Sequence, residues 1–566
     1  LDNAMGSGHI LVYAFDVFMQ LYVAEGYRER DAAEFIMTNN LYGLEIDKRA
    51  YQLAYFAIMM KGREYNRKIL NKNVKLNLYQ FIDSEDIPTE YFERLDELST
   101  LPRTEFTKKL NQLKSILEQF AHATEIGSVL HFNSVKKKKI AELREFVNVF
   151  DNFSDMDILY QLPEAHEKIA KLLDIVEVIV SKYTTVVTNP PYLNKMSNIL
   201  DKYVKNNYPE VKTDLFSVFI KMNSQMLVKD GYAGFMTPFV WMFIKSYEEL
   251  RTFLITDKSL SNLVQMEYSA FEEATVPVCC FTIKNTKNEP VGNYFKLSDF
   301  RGGMEVQKAK VLEGVKNPTV SYVYQTNQES FTKIPGSPIS FWVSENTFNI
   351  FASNASFEDI YHTRAGMITG NNKHFIRMWH EIGRDKIGLL VPNRQTASAS
   401  EKKWFPYSKG GEFKRWYGNN EFVINWENDG SCIRNLKNKN GKIPAHAFNL
   451  DYIFHSQITW SSLSSRNFAA RYCVEGFLFD ASGSFAIVPE CKKKYVLSYL
   501  NSKVVKYYLN LLNPTLNFQK GNINALPLVK TTNCIIEEFA KTNINISKAE
   551  WDSFEQSWDF SRHPLI

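Results

Sequence analysis

The adjacent prolines in Thr188-Asn189-Pro190-Pro191-Tyr192 constrain the fold of this chain more than any other feature. They remove two backbone donors and hold φ near about −65°, so neither a helix interior nor a central strand can run through them. Just before them, Thr185–Val187 is β-branched and reads as a buried strand that has to stop here. A rigid polar turn at the carboxyl end of a strand sits where open α/β sheets carry their ligands. The turn offers a carboxamide oxygen on Asn189, an outward carbonyl on Pro190 and an aromatic plane at Tyr192. That set suits an exocyclic amino group on a planar heterocycle, because two acceptors can take its two hydrogens while the ring stacks. Such a nitrogen is a poor nucleophile, since its lone pair is delocalised. Two acceptors draw it towards pyramidal geometry and aim the lone pair at an electrophile, and the proton is lost only after attack. Catalysis of this kind is positioning and electrostatics. Asn189, Pro190, Pro191 and Tyr192 are therefore the candidate catalytic residues.

Residues 1–82 alternate in the α/β manner. A glycine-rich turn opens a helical period over His9 to Glu25, with Ile10, Ala14, Phe15, Phe18, Leu21 and Tyr22 on one face and Gly26 as a stop. Asn40 to Ile46 reads as a strand, Asp47 as the cap of a helix from Lys48 to Lys61 that Gly62 ends, and Val74 to Ile82 as another strand. This order predicts a parallel sheet with helices outside it. In Asp2-Asn3-Ala4-Met5-Gly6-Ser7-Gly8 the glycines permit close backbone approach and set helix N-terminal amides beside a ligand. Glu45, ending the next strand, can accept from both hydroxyls of a ribose. Together they point to a nucleoside-type cofactor.

Residues 84–180 break the rhythm and read as a helical insertion. The run Lys136–Lys139 within it is either a solvated helix end or a phosphate contact. Strand character returns at Tyr183–Thr188, a helical period follows at Leu215–Val228, and strands are predicted at Tyr232–Met236 and Phe271–Lys284. Gly292 to Ser321 reads as a connection with turns at Gly302-Gly303. From about residue 340 short apolar segments alternate with Gly, Asn, Ser and Pro, which suits a mixed second domain. Between Asn371 and Leu450 there are 14 Lys and Arg against 7 Asp and Glu, whereas the whole chain carries only +4. Basic and aromatic residues interleave there at Lys403-Trp404-Phe405 and Lys414-Arg415-Trp416-Tyr417, as on a nucleic-acid face.

Composition excludes several classes. With 45% apolar and 23% charged residues the chain is neither disordered nor fibrous. Six cysteines in 566 residues make no disulfide framework, and no spacing suggests a zinc site, so no metal is expected. The longest apolar run, Val228 to Ile244, is broken by Lys229 and Asp230 and is too short to span a bilayer. No signal peptide is recognisable. The reading is a cytoplasmic protein without a membrane partner.

With these residues in place, the sequence resembles the amino-group DNA methyltransferases, whose cofactor motif is Asp-Pro-Ala-x-Gly-Ser-Gly and whose catalytic motif is Asn-Pro-Pro-Tyr. It is most similar to the adenine methyltransferases of BREX-type phage-exclusion systems. The likeness is carried by Asp214-Leu215-Phe216, Gly231 to Pro238 with Trp241-Met242-Phe243, Gly366 to Asn371, Trp404 to Phe413, Trp416 to Glu427, and Trp551 to Phe560. Asn501-Ser502-Lys503, Asn513 to Phe518 and Ile523 to Pro527 resemble the closing segment of fused target-recognition domains. The likeness runs nearly end to end, apart from residues 84–180. It implies a Rossmann-like S-adenosylmethionine-dependent methyltransferase, 1–300 with its helical insertion at 84–180, then a connector at 301–339, a mixed α+β target-recognition domain at 340–530 and a linker at 531–566. Asp2, Ala4, Gly6 and Gly8 would line S-adenosylmethionine, Glu45 its ribose, and Asp83, or else Gln80, its adenine. Asp214 would lie near the methionine moiety. Asn189 and Pro190 would hold an adenine amino group, with Tyr192 stacked on a base flipped out of duplex DNA and Phe271 closing the pocket. Lys403, Lys414 and Arg415 would contact DNA. The partners implied are double-stranded DNA and other phage-exclusion proteins.

Two departures accompany the likeness. Asn3 stands where the family usually has Pro, and the family's first strand and cofactor-packing aromatic motif lie upstream of Leu1, so the chain reads as the middle of a longer polypeptide. Three other functions share these motifs. They are the modification half of a fused restriction-modification enzyme, a glutamine methyltransferase acting on proteins, and a catalytically idle DNA-binding scaffold.

Overall fold

The computed structural model describes residues 1–565 except 133–134, 151–152, 269–275, 438–440, 448, 465–466, 514–516 and 530–533. The chain divides into two units, Leu1–Glu329 and Ser330–Ile566.

The first unit is built on strands β1 (Tyr42–Glu45), β2 (Asn77–Gln80), β3 (Tyr183–Thr188), β4 (Leu227–Pro238), β5 (Ser259–Gln265), β6 (Val278–Lys284), β7 (Val291–Lys296) and β8 (Val323–Asn327). β1 and β2 are a parallel pair, and β3-β4-β6-β5-β7-β8 form a six-stranded sheet in which β3 runs parallel to β4 and β6 antiparallel to both its neighbours. Leu1 and Asp2 lie between the two sheets. The Leu1 carbonyl accepts from Val187 N–H at 2.9 Å, and Asp2 forms a parallel bridge to Gly43. The strand ends at Asp2, Glu45 and Thr188 are thereby aligned.

Helices His9–Ala24 and Lys48–Tyr65 pack on this part of the sheet. The first buries Leu11, Phe15 and Met19, while Leu21 is 56% exposed. The buried stripe is thus rotated from the predicted face, because this helix is apolar over much of its circumference and periodicity alone does not choose the side. Asp47 caps the second helix by accepting from Arg49 and Ala50 N–H, both at 2.8 Å. That helix runs past Gly62 to Tyr65, since a Cβ at Gly62 would run into the Met37 sulfur and the glycine serves packing rather than termination. Gly8 sits at φ 87° with Ala54 Cα at 3.0 Å from where its Cβ would be. Gly8→Ala is expected to lower stability by about 1–3 kcal/mol through left-handed strain and overpacking, checked by urea unfolding.

Residues 84–180 are helical throughout their described length apart from turns, with main helices Arg103–Gln119, Lys137–Val147 and Leu162–Val180. Lys136 to Lys138 lie at a helix start, where Lys137 pairs with Glu177 at 3.3 Å. Downstream, two expectations need correction. β5 was not legible, because its polar residues follow no hydrophobic alternation and read as a loop until β6 and β7 supply its hydrogen bonds. The connecting stretch read over 292–321 instead holds most of β7 and helix Gly303–Lys316, and the connector read over 301–339 holds that helix and β8, which closes the sheet against β7. Gly302-Gly303 starts that helix rather than a turn.

The second unit carries two four-stranded sheets. One is ordered β10-β12-β11-β15, from β10 (Ile376–Met378), β11 (Trp404–Ser408), β12 (Phe422–Asn425) and β15 (Leu478–Phe479). The other is ordered β14-β13-β16-β9, from β9 (His362–Arg364), β13 (Gln457–Trp460), β14 (Ala470–Cys473) and β16 (Phe485–Ile487). Phe405, Tyr407, Ile424, Trp426 and Phe454 share one core. The segment read as a linker at 531–566 is instead folded onto this unit through helix Ile535–Asp552. Trp551 is buried against Gly418, Trp558 packs on Phe477 at 5.8 Å, and the Trp379 indole donates to Gln556 O at 2.9 Å. Among the described residues no helix is long and apolar enough to cross a membrane.

Candidate active site

The carboxyl ends of the parallel strands bring three loops together. The first begins at Asp2, whose carboxylate is fully buried. Its Oδ1 accepts from Ala4 N–H at 3.2 Å and from the Thr188 hydroxyl at 2.8 Å. Its Oδ2 has no hydrogen-bond partner among the described residues. Burial pushes the Asp2 carboxyl up to about 6, against the hydrogen bonds from Thr188 and Ala4 that favour its charge. Thr188 immediately precedes Asn189, so one hydrogen bond joins the glycine loop to the Asn-Pro-Pro-Tyr turn.

Glu45 closes the glycine loop from the β1 side. Its Oε2 accepts from Gly6 N–H at 2.8 Å, while Oε1 accepts from Ile46 and Asp47 N–H at 2.9 and 3.0 Å. Asp83 lies beyond β2 and accepts from Thr124 N–H at 2.9 Å and the Thr124 hydroxyl at 2.7 Å. The carboxylate assigned to a cofactor base is thus already engaged at the start of a short helix. The alternative, Gln80, ends β2.

In the Asn-Pro-Pro-Tyr turn Tyr192 is 37% exposed, while its hydroxyl turns inward within 3.1 Å of Asn189 Oδ1 and 3.2 Å of the Met236 carbonyl, sharing one proton between them. Burial of that hydroxyl raises its pKa, so it stays a neutral donor. The ring meets Phe216 edge-on at 6.3 Å. Pro190 is buried, and Asn189 is exposed. Asp214 Oδ1 accepts from Leu193 N–H at 2.9 Å, holding the far end of the turn from the start of helix Leu215–Gln225. Burial raises the Asp214 pKa, opposed by backbone N–H groups that bond its charged form. An apolar cluster of Met236 on β4, Val264 on β5, Val278 and Cys280 on β6 and Met266 just after β5 lies beside the Met236 carbonyl. Phe271 lies outside the described residues, as do Pro514 to Leu516.

Sequence reasoning missed the polar residues that hold these loops from behind. Thr188, Asn223 and Ser128 are buried, and so is Arg251, which donates to the carbonyls of Trp241 at 2.7 Å and Ile244 at 2.8 Å and fixes the turn after β4. A charged residue inside a helical period looks like surface, and nothing in the one-dimensional pattern marks it otherwise. In the second unit Lys403 pairs with Glu427 at 2.9 Å and Lys414 with Glu550 at 3.4 Å. Arg415 is exposed, its guanidinium over the Phe413 ring at 5.4 Å. Among the described residues no group of three or more His, Cys, Asp or Glu could hold a metal.

Residues 39–271 match the model of the Eco57I restriction-modification methylase family. The chain is 37% identical over its whole length to the adenine-specific methyltransferase PglX of Lacticaseibacillus casei (strain Zhang) and 33% identical to the adenine-specific methyltransferase BrxX of Escherichia coli O9:H4 (strain HS). The chain spans about half the length of these curated relatives, 47% of each. Among solved structures, the type IIL restriction-modification enzyme MmeI in complex with DNA matches 99% of this chain and 66% of its own, at 9% identity and a TM-score of 0.50. That likeness concerns the fold and extends over both units. The Eco57I-type match covers β1, β2, Glu45, Asp83, Asn189 to Tyr192 and Asp214, whereas the glycine loop precedes it.

Proposed function

We propose that the protein containing this chain is a site-specific DNA adenine methyltransferase with a Rossmann-like catalytic unit, acting in phage defence with other phage-exclusion proteins. The observation that carries the reading is the Thr188–Asp2 hydrogen bond, which joins the loop suited to a methyl donor to the turn suited to a methyl acceptor. S-adenosylmethionine, when bound, supplies a methyl group activated by a sulfonium. The donor set fits it. The orphaned Asp2 Oδ2 is a buried acceptor suited to an ammonium, and Glu45 stands at the end of β1 where it can exchange Gly6 N–H for ribose hydroxyls. At Gly6 nothing lies within 4 Å of where a Cβ would stand, which leaves room for a close-lying ligand, whereas Gly8 is packed against Ala54.

The chain's own residues then act on the acceptor. Asn189 Oδ1, oriented by the Tyr192 hydroxyl, and the Pro190 carbonyl accept from the two hydrogens of the adenine amino group. Held so, the nitrogen lone pair is turned out of conjugation towards the side where a bound donor would supply its methyl group, and the excess proton would pass to water after transfer. The exposed Tyr192 face is available for stacking, so the target base has to leave the duplex. Phe271 is proposed to close that pocket.

The test is modification mapping of genomic DNA with the intact gene and with its Asn189→Ala variant. Adenine methylation at a discrete site is expected with the first and not with the second. A further expectation concerns Lys403, Lys414 and Arg415, proposed to contact DNA phosphates from the second unit. The triple Ala variant should bind duplex more weakly at low salt, with a shallower dependence of log K on log salt. An unchanged slope in a filter-binding titration would remove these three residues from the interface.

A further inference from the structure

Asn3 and Asn223 form a reciprocal pair of carboxamides. Asn3 Nδ2 donates to Asn223 Oδ1 at 2.7 Å, and Asn223 Nδ2 donates to Asn3 Oδ1 at 3.0 Å. They are 1% and 0% exposed. Asn3 lies inside the glycine loop, and its backbone carbonyl also accepts from the Ser128 hydroxyl. Asn223 lies in the last turn of helix Leu215–Gln225, whose N-cap, Asp214, holds Leu193 of the catalytic turn. One helix thus grips the catalytic loop at its first end and the glycine loop near its second. Nine residues separate the two grips, a rise of about 13 Å along a helix axis. Most of the helix is buried, from Leu215 through Ile220 and again from Met222 to Ser224, so it cannot shift without disturbing the core.

We infer that helix Leu215–Gln225 is a strut that sets the distance between the two loops, and that Asn223 is a positioning residue acting through Asn3. The inference rests on the function proposed above, in which one loop holds the methyl donor and the other the acceptor. Transfer requires the reacting atoms at near-contact distance, and a displacement of about 1 Å can lower a rate about 100-fold. The carboxamide pair serves that end well. It is short, uncharged and reciprocal, so it fixes position without adding a titrating group. Asn3 takes the place of a proline in the family motif, and the pair supplies a restraint on the loop that a ring would otherwise give.

The experiment compares Asn223→Ala with the double variant Asn3→Ala/Asn223→Ala in the full-length protein. Asn223→Ala orphans the buried Asn3 carboxamide, so both melting temperature and kcat should fall. The double variant removes the orphan along with its partner, so melting temperature should return towards wild type. If Asn223 positions the loop, kcat for methyl transfer to DNA stays about 100-fold low in the double variant. Recovery of kcat together with stability would overturn the inference, because a purely structural pair would restore both. Hydrogen exchange at residues 2–8 and 189–193 gives a readout independent of the activity. Faster exchange at both loops in the double variant supports the strut even if wild type methylates no adenine, an outcome that would sink the proposed function instead. Unchanged exchange at both loops overturns the strut.

Discussion

Replacing Asn189 by Ala in the full-length protein should lower kcat for adenine methylation on the order of 1,000-fold while leaving the affinity for S-adenosylmethionine within a few-fold of wild type. Asn189 Oδ1 is a side-chain acceptor placed by the Tyr192 hydroxyl at 3.1 Å, and in the proposed reaction it faces the positive charge that develops on the amino nitrogen. Removing one preorganised hydrogen-bonding group aimed at developing charge typically lowers kcat by about 10²–10³-fold. Here the effect should lie at the upper end, because Asn189 also draws the lone pair out of conjugation and no general base can substitute for that. Asn189 is exposed and its side chain helps hold no core, so the variant should fold. Single-turnover transfer of a labelled methyl group onto duplex DNA measures the effect. A rate within tenfold of wild type would remove Asn189 from catalysis.

The second large effect is expected at Asp2. Its carboxyl is pushed up to about 6 by burial, well above the usual 3.8. A raised carboxyl pKa means that the fold prefers the protonated form. The penalty is absent below about pH 4, grows as pH rises through 6, and is fully present at pH 8, on the order of 3 kcal/mol. Asp2→Asn removes the titration, so the difference in unfolding free energy between variant and wild type should shift in favour of the variant as pH rises from 4 to 7. The same substitution should weaken S-adenosylmethionine binding about 10–100-fold at pH 8, the worth of one charge-assisted hydrogen bond to an ammonium. Wild-type affinity should improve as pH rises through 6, and the variant's should not. Calorimetry at pH 5.5 and 8 decides it. Equal affinities for wild type and variant at pH 8 would show that Asp2 Oδ2 is not the acceptor. Both results together would show fold stability traded for a buried carboxylate whose Oδ2 is kept open for a ligand, a common arrangement where function and stability compete.

Much of the first unit could be read in one dimension. The rigid turn after a β-branched strand, the glycine loop before a helix and the Asp47 cap are local signals, and each depends on residues within a few positions. Asp214 was legible as the start of its helix, but its bond to Leu193, twenty-one residues earlier, was not. Strand β5 was missed because its polar residues follow no hydrophobic alternation, and it is a strand only because β6 and β7 supply its hydrogen bonds. Likewise Trp551 and Trp558 looked like part of a trailing segment, although they pack on Gly418 and Phe477 of the same unit. The basic window was visible as composition, but the acids that pair with Lys403 and Lys414 were not, since Glu550 lies more than a hundred residues away.

By itself, the sequence determined which chemical groups are present and which of them stand at the ends of strands, because prolines, glycines and β-branched residues act on their own backbone. It placed acceptors on Asn189 and Pro190 and an aromatic plane at Tyr192 in one rigid turn, and two glycines between Asp2 and the first helix. Only the tertiary structure decided how these loops are held against one another. Thr188 reaches Asp2 across 186 positions and Asn223 reaches Asn3 across 220, and buried polar pairs at such separation leave no periodicity behind. Their partners are chosen by where the packed sheet and helices bring unsatisfied groups together, since burying a polar group without a partner costs stability.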